Sequence, residues 1–225
     1  MLNNTVVLDG SVAMKLSSQQ IEVRTVQGNY TTVPANAIEI GAYGSVSVSV
    51  GGEIARLSGV TMAMAYYTPQ PAGNGDTRSW LGIKTSGGTV QTGSNVGTVG
   101  ASDVVVSLNK GYGDLNSSPN ATVVDFRKTF ESSPGLNDGF LDIDTGRLDT
   151  VQRQPITVRI DFDRELVSMS ATVELSVADF FFTQGTFTYT NTTDSISLVG
   201  STSQIAVTAR ILSVTGASVF VGSDY

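Results

Sequence analysis

The sequence predicts an all-β protein, an antiparallel Greek-key β-sandwich with a β-barrel as the alternative. Two observations carry this expectation. Apolar and polar residues alternate over short runs along the whole chain, which is the period of a half-buried strand, and clusters of Gly, Asn, Asp, Ser and Pro separate the runs. No window carries an apolar stripe at helical spacing, so sheets must cover one another.

Taken in order, the expected strands are "SVAMKL" (11–16), "SVSVSV" (45–50), "TMAMAYY" (61–67), "DVVVSL" (103–108) and "ITVRIDF" (156–162). "ATVELSV" (171–177), "FTYT" (187–190), "QIAVTARI" (204–211) and "ASVFVG" (217–222) complete the set. Turn signals fall between them at "VGGE", "GNGD", "SGG", "NKGYGD", "SSPN", "SPGLNDG" and "NTTD". In "ITVRIDF" the alternation sends Ile156, Val158, Ile160 and Phe162 inward and leaves Thr157, Arg159 and Asp161 facing solvent. "FFFTQGTFTYT" reads as a hairpin turning at Gln184-Gly185, where glycine supplies a positive φ, with Phe187 and Tyr189 directed together into a core.

Composition narrows the function. The formal net charge of −7 and a sequence pI near 4.5 disfavour nucleic acid and anionic membranes, which select basic patches. The chain has no Cys, hence no disulfide or thiolate metal site, and no His, hence neither the commonest general base nor the commonest transition-metal ligand. These absences weigh against an enzyme. No apolar run approaches the ~20 residues that span a bilayer, and "MLNNTVVLDG" lacks the basic start and apolar stretch of a signal peptide, so an export signal is expected either outside this chain or not at all.

One stretch is stated nearly twice, as "VQGNYTT" (26–32) and "TQGTFTYT" (183–190), and three flanking pairs keep the same order. "VLDGSVAMKL" (7–16) runs beside "LVSMSATVEL" (166–175), "GSVSVSV" (44–50) beside "SQIAVTA" (203–209), and "RLSGVTMAMAYY" (56–67) beside "ILSVTGASVFVG" (211–222). Phase is kept: Val12, Met14 and Leu16 answer to Ala171, Val173 and Leu175, and Tyr30 answers to Phe187, as a shared strand face requires. The expectation is an internal repeat of about 157 residues, a length that suits whole domains rather than solenoid units. Residues 1–67 then form the closing half of one unit and 68–225 one full β-sandwich unit, associated compactly or exchanging strands with a neighbour.

Within residues 100–225 the order of an Asn-bearing strand (Asn109), a "VDF" strand (Asp125-Phe126), a "GTF" hairpin (Gly185-Thr186-Phe187) and a closing "FVG" strand (Phe220-Val221-Gly222) resembles a known family. It is similar to the tandem modules of giant secreted or surface-attached, adhesin-like bacterial proteins. The resemblance implies a structural or adhesive module outside the cell, partnered by neighbouring modules or copies of itself, and assigns no catalytic residue. The first copy departs from the pattern, with "QGNY" for the hairpin and "MAMAYY" for the closing strand.

Two candidate sites follow from the residues. In "NDGFLDIDTGRLD", Asp138, Asp142, Asp144 and Asp149 surround Gly146, and D-x-D-x-G followed by a further Asp offers the oxygen ligands that Ca²⁺ takes, without the bidentate Glu of an EF-hand. The competing interpretation is a pair of turns whose Asp side chains cap backbone N–H groups. Trp80 and Tyr112, with Tyr66 and Tyr67, are candidates for a carbohydrate-stacking platform, against the alternative that Trp80 is a core residue. "IDFDRE" (160–165) reads as a solvated strand face rather than an acid/base pair, which needs two carboxyls across a cleft. The Gly-rich stretch 85–100 lacks the Lys-Ser/Thr of a phosphate loop. Asn3, Asn29, Asn116, Asn120 and Asn191 stand in N-x-S/T, sites for a host that glycosylates. The leading expectation is a non-enzymatic structural or adhesive module; the alternatives are a carbohydrate- or Ca²⁺-binding β-sandwich and a virion or filament subunit.

Overall fold

Three long strands open the chain: β1 (Thr5–Thr25), β2 (Tyr30–Val50) and β3 (Glu53–Pro69), each antiparallel to the next. Between β1 and β2 the chain reverses at Gly28, whose φ of 84° lies where a Cβ is strained. β4 (Ser79–Ser86) and β5 (Thr89–Ser94) share one place in the sheet, each pairing with β3 on one side and with β6 (Gly97–Tyr112) on the other. An excursion comes next, holding the hairpin of β7 (Asp114–Leu115) and β8 (Ser118–Pro119), then β9 (Thr122–Val124) and the one-turn helix α1 (Phe126–Phe130). It ends in a two-stranded ribbon, β10 (Leu141–Leu148) with β11 (Pro155–Ile160). The chain then rejoins the sheet beside β6 as β12 (Leu166–Val177) and runs outward through β13 (Phe181–Ser197) and β14 (Gln204–Val221). This computed structural model describes residues 5–50, 53–70, 75–94, 97–132, 138–177, 181–197 and 204–221.

The class is the expected one, all-β and antiparallel. The sheet is a meander in the order β14-β13-β12-β6-β4-β3-β2-β1-β9, and β9 pairs back onto the end of β1 at Val23 to Thr25. Its other side faces β6, where Asn109 Nδ2 donates to the carbonyl oxygen of Val124 at 2.8 Å, so one end of the sheet curls into a small closed, barrel-like arrangement. Among the described residues, sheet-on-sheet packing is found at this end, where the β10–β11 ribbon lies across the inner face.

The core sits between ribbon and sheet. Val158, Ile160 and Phe162 come down from the ribbon side as the alternation predicts, joined by Leu141 and Ile143, onto Ile21, Val23, Val33, Tyr67, Trp80 and Phe126, while Ile156 of the expected inward set is only partly buried. Beneath them the inner face is paved with small residues, Ala35, Ala37, Ala63 and Ala65. At Gly41 the approach is closer still, since a Cβ there would run into the carbonyl of Asp144. Core residues come from both sides of position 67, so the strands of residues 1–67 share one core with those of residues 68–225.

Several expectations are corrected. Gln184-Gly185 is not a turn: it lies inside β13, where the pairing with β14 slips between Gln184 and Thr186. "NTTD" is likewise inside β13. Asp125-Phe126 does not extend a strand: Asp125 caps α1, accepting from the Lys128 N–H at 2.8 Å, while the Phe126 ring is fully buried. Phe187 and Tyr189 do share a face, paired to Ala171 and Met169, but they stand half-exposed rather than in a core. Of the four repeated block pairs, 7–16 and 166–175 both begin a three-stranded meander, and 56–67 and 211–221 both lie in its third strand. The other two do not correspond, because Gln27-Gly28 is in a turn while Gln184-Gly185 is in a strand, and 44–50 ends β2 while 204–209 begins β14. Asn3, Gly222, most of "SPGLNDG" and the tips of "VGGE" and "GNGD" lie outside the described residues.

Candidate functional site

The four aspartates of the Ca²⁺ candidate are not brought together. Asp142 pairs with Arg159 through both oxygens, at 3.0 and 3.1 Å. Asp144 Oδ1 accepts from the Gly146 N–H at 2.7 Å, and Asp149 Oδ1 from the N–H groups of Val151 and Gln152 at 2.8 and 2.7 Å. Asp138 binds the Ser132 N–H and hydroxyl. These hydrogen bonds hold the carboxyls of Asp138 and Asp149 below the usual carboxylate range. Each side chain therefore serves its own turn or ion pair, the capping alternative, and among the described residues no group of three or more acidic side chains is placed to hold a metal ion.

The carbohydrate candidate is corrected as well. Trp80 is fully buried, its indole Nε1 donating to Thr122 Oγ1 at 3.0 Å, and it presents no ring face to a sugar. Tyr67 is buried beside it, and that burial, reinforced by Glu39, raises its phenol well above the ordinary value. Tyr112 stays exposed at the end of β6, apart from any aromatic partner among the described residues. The acidic run 161–165 is absorbed by ion pairs: Asp161 with Lys84 at 2.9 Å, Asp163 with Arg164 at 2.8 Å, and Glu165 with Lys110 at 3.8 Å. The Arg164 guanidinium holds the Asp163 carboxyl below its ordinary value.

Two concave features are formed by described residues. At the seam where β9 closes the curl, a cleft of about 190 Å³ is lined by Arg24, Lys110, Asn120, Arg164 and Glu165. Its charges are already engaged: Arg24 donates to the Asp163 carbonyl at 3.1 Å, Lys110 faces Glu165, and Arg164 pairs with Asp163. The second is a shallow groove of about 480 Å³ on the opposite side of the sheet, floored by Val12, Ala42, Val60 and Met62.

That groove belongs to a larger feature which the sequence did not reveal as a surface. Because paired residues share a face, the register carries one apolar row across the outer side of the sheet, from Met14 through Ile40, Met64, Ile83 and Leu108 to Val167. A parallel row runs Val12, Ala42, Met62, then Val106, Met169, Tyr189 and Leu212. None of these side chains is buried, and Val12, Met14 and Leu16 are 70%, 65% and 67% exposed. Two signals in the sequence mark it: apolar phase flips within single unbroken strands, and Met14, Met62, Met64 and Met169 all fall on this face, four of the five methionines.

The site and the fold define an antiparallel all-β protein with one end of its sheet closed over a core and the rest open. Comparison with protein-family models, curated proteins and solved structures finds no match for this chain.

Proposed function

We propose that this chain is a structural, non-enzymatic module of a larger extracellular repeat protein of the adhesin-like kind, working through association with neighbouring modules or copies of itself. One observation carries the proposal. The sheet ends at β14, an 18-residue strand whose described side chains are nearly all exposed and which has no further strand beside it among the described residues. A strand of that length presents a row of unpaired N–H and C=O groups, and such an edge is completed by pairing with another strand. The residues behind the adhesin resemblance fit a structural role: Asn109, Asp125 and Phe126 fasten the closed end together. A filament or virion subunit is the second reading, favoured by the same edge, because head-to-tail strand addition does not close on itself.

The test substitutes Ser213→Lys and Thr215→Lys, which charge the edge strand on the side away from Leu212 and Val214. Light scattering and electron microscopy of the wild-type chain should show association that the double variant loses. A wild-type chain that stays monomeric up to high concentration overturns the proposal.

A further inference from the structure

The outer apolar face bears on a different contact from the β14 edge. Its two rows together reach eight strand positions, the first running from β1 to β12 and ending at Asn191 and Arg210, the second running from β1 to β14 with Thr85 on β4. The ribbon covers only the inner side, so nothing among the described residues lies over the outer one. Among the described residues charge enters at its rim, at Glu22, Arg24, Lys110 with its partner Glu165, and Arg210, with Asp9 beside the groove, and the rows between them carry none. An uncharged apolar centre with a polar rim is the composition of an interface core, and an exposed apolar patch of this extent marks a binding surface.

We propose that this face is covered by a second copy of the same chain, packed face to face as the missing layer of a sandwich. The size is suitable. Eight strands at ~4.8 Å spacing and five residues at ~3.3 Å rise give roughly 600 Å² of sheet per copy, or about 1,200 Å² for the pair, where specific interfaces begin. The chemistry favours a like partner, since the centre offers no charge for an unlike one to complement. It also offers methionines, which repack readily against an opposing surface, and the groove over Val12, Ala42 and Met62 gives the opposing side chains a place to enter. Aligned sheets meet at ~10 Å with their side chains interdigitated. This inference rests on the self-association of the proposed function but places it on a different surface, so the two can fail separately.

The test uses the full chain and two readouts. Sedimentation equilibrium of the wild type should give a dimer, and Leu16→Lys with Met169→Lys should give a monomer. Leu16 and Met169 are 67% and 54% exposed, so these changes leave the folded monomer intact, as circular dichroism will verify. Peroxide oxidation, read by peptide mass spectrometry, should modify Met14 and Met64 at least about five-fold more slowly in the wild-type dimer than in that variant. A monomeric wild type, or equal oxidation rates, overturns the proposal. So does a dimer that survives Leu16→Lys/Met169→Lys and is lost in Ser213→Lys/Thr215→Lys, an outcome that leaves the edge reading standing. Binding of detergent micelles by a chain that stays monomeric also overturns it.

Discussion

The side-chain amide of Asn109, fully buried on β6, donates to the backbone carbonyls of Val124 at 2.8 Å and Arg164 at 2.9 Å. One side chain thus ties the closing strand β9 and the entry to β12 to the centre of the sheet. Replacing it by Ala leaves two carbonyls without these donors, each costing about 1–3 kcal/mol when buried. Asn109→Ala should lower the unfolding free energy by about 2–4 kcal/mol in urea titrations. Asn109→Asp should cost more, because a carboxylate cannot donate and would face two carbonyl oxygens.

Gly41 is where the ribbon meets the sheet most closely. A methyl group there must displace the β10 backbone at Asp144, since backbone cannot rotate aside as a side chain can. Gly41→Ala should therefore destabilise by about 3 kcal/mol, at the upper end of overpacking costs. Hydrogen exchange should show the loss of protection concentrated in residues 141–148.

Trp80 contributes through burial and through its bond to Thr122. Trp80→Ala should cost about 3–5 kcal/mol, and Trp80→Phe less, with the Thr122 hydroxyl losing its indole partner. Chemical denaturation of the three proteins gives the order directly.

Asp125 gives a pH signature. Burial raises its carboxyl above the ordinary value, outweighing the opposing hydrogen bonds from Lys128 N–H and the Tyr30 hydroxyl. The folded state then binds this proton more tightly than the unfolded state, so the contribution to stability falls as pH rises through the window from about 4 up to the raised value. Asp76, lowered by its hydrogen bond to Arg78, and Asp163, lowered by Arg164, work the other way, stabilising above about 4 and losing that as pH falls. Asn keeps the helix cap but removes the titration. Asp125→Asn should gain on the wild type as pH rises from 3 to 6, measured as urea midpoints; a constant difference would contradict the burial effect.

Removing or adding Ca²⁺ should move the melting temperature by less than about 1 °C, since no bound ion would add its mass-action stabilisation. Asp142, Asp144 and Asp149 each hold a separate partner in the ribbon. Calorimetry with chelator and with excess Ca²⁺ checks this.

Much of the fold was legible in the sequence because alternation and turn residues act locally. Of the expected inward set, Val158, Ile160 and Phe162 are buried and Ile156 is partly so, and the capping alternative for Asp144 and Asp149 is what the structure contains. Gln184-Gly185 misled because the same dipeptide suits a turn or a strand irregularity, and distant pairing with β14 selects between them. Trp80 was ambiguous for a similar reason: it lies in β4, outside the alternating runs that marked the expected strands, and pairing with Tyr67 of β3 decides which face it takes.

The sequence by itself determined that β1 and β2 have two faces and where their phase changes. In β1 the apolar residues sit at even positions through Leu16 and at odd positions from Ile21, and in β2 they shift from Val33, Ala35 and Ala37 to Ile38 and Ile40, with no break in the register between the two strands at those points. Only the tertiary structure decided which face is covered. The ribbon lies where Gly41, Ala63 and Ala65 let backbone approach backbone, so the small residues are buried and the larger Met14, Leu16 and Ile40 are left outside. Side-chain period encodes that a strand has two sides, whereas the choice between them depends on which other segment fits, a contact between residues a hundred positions apart.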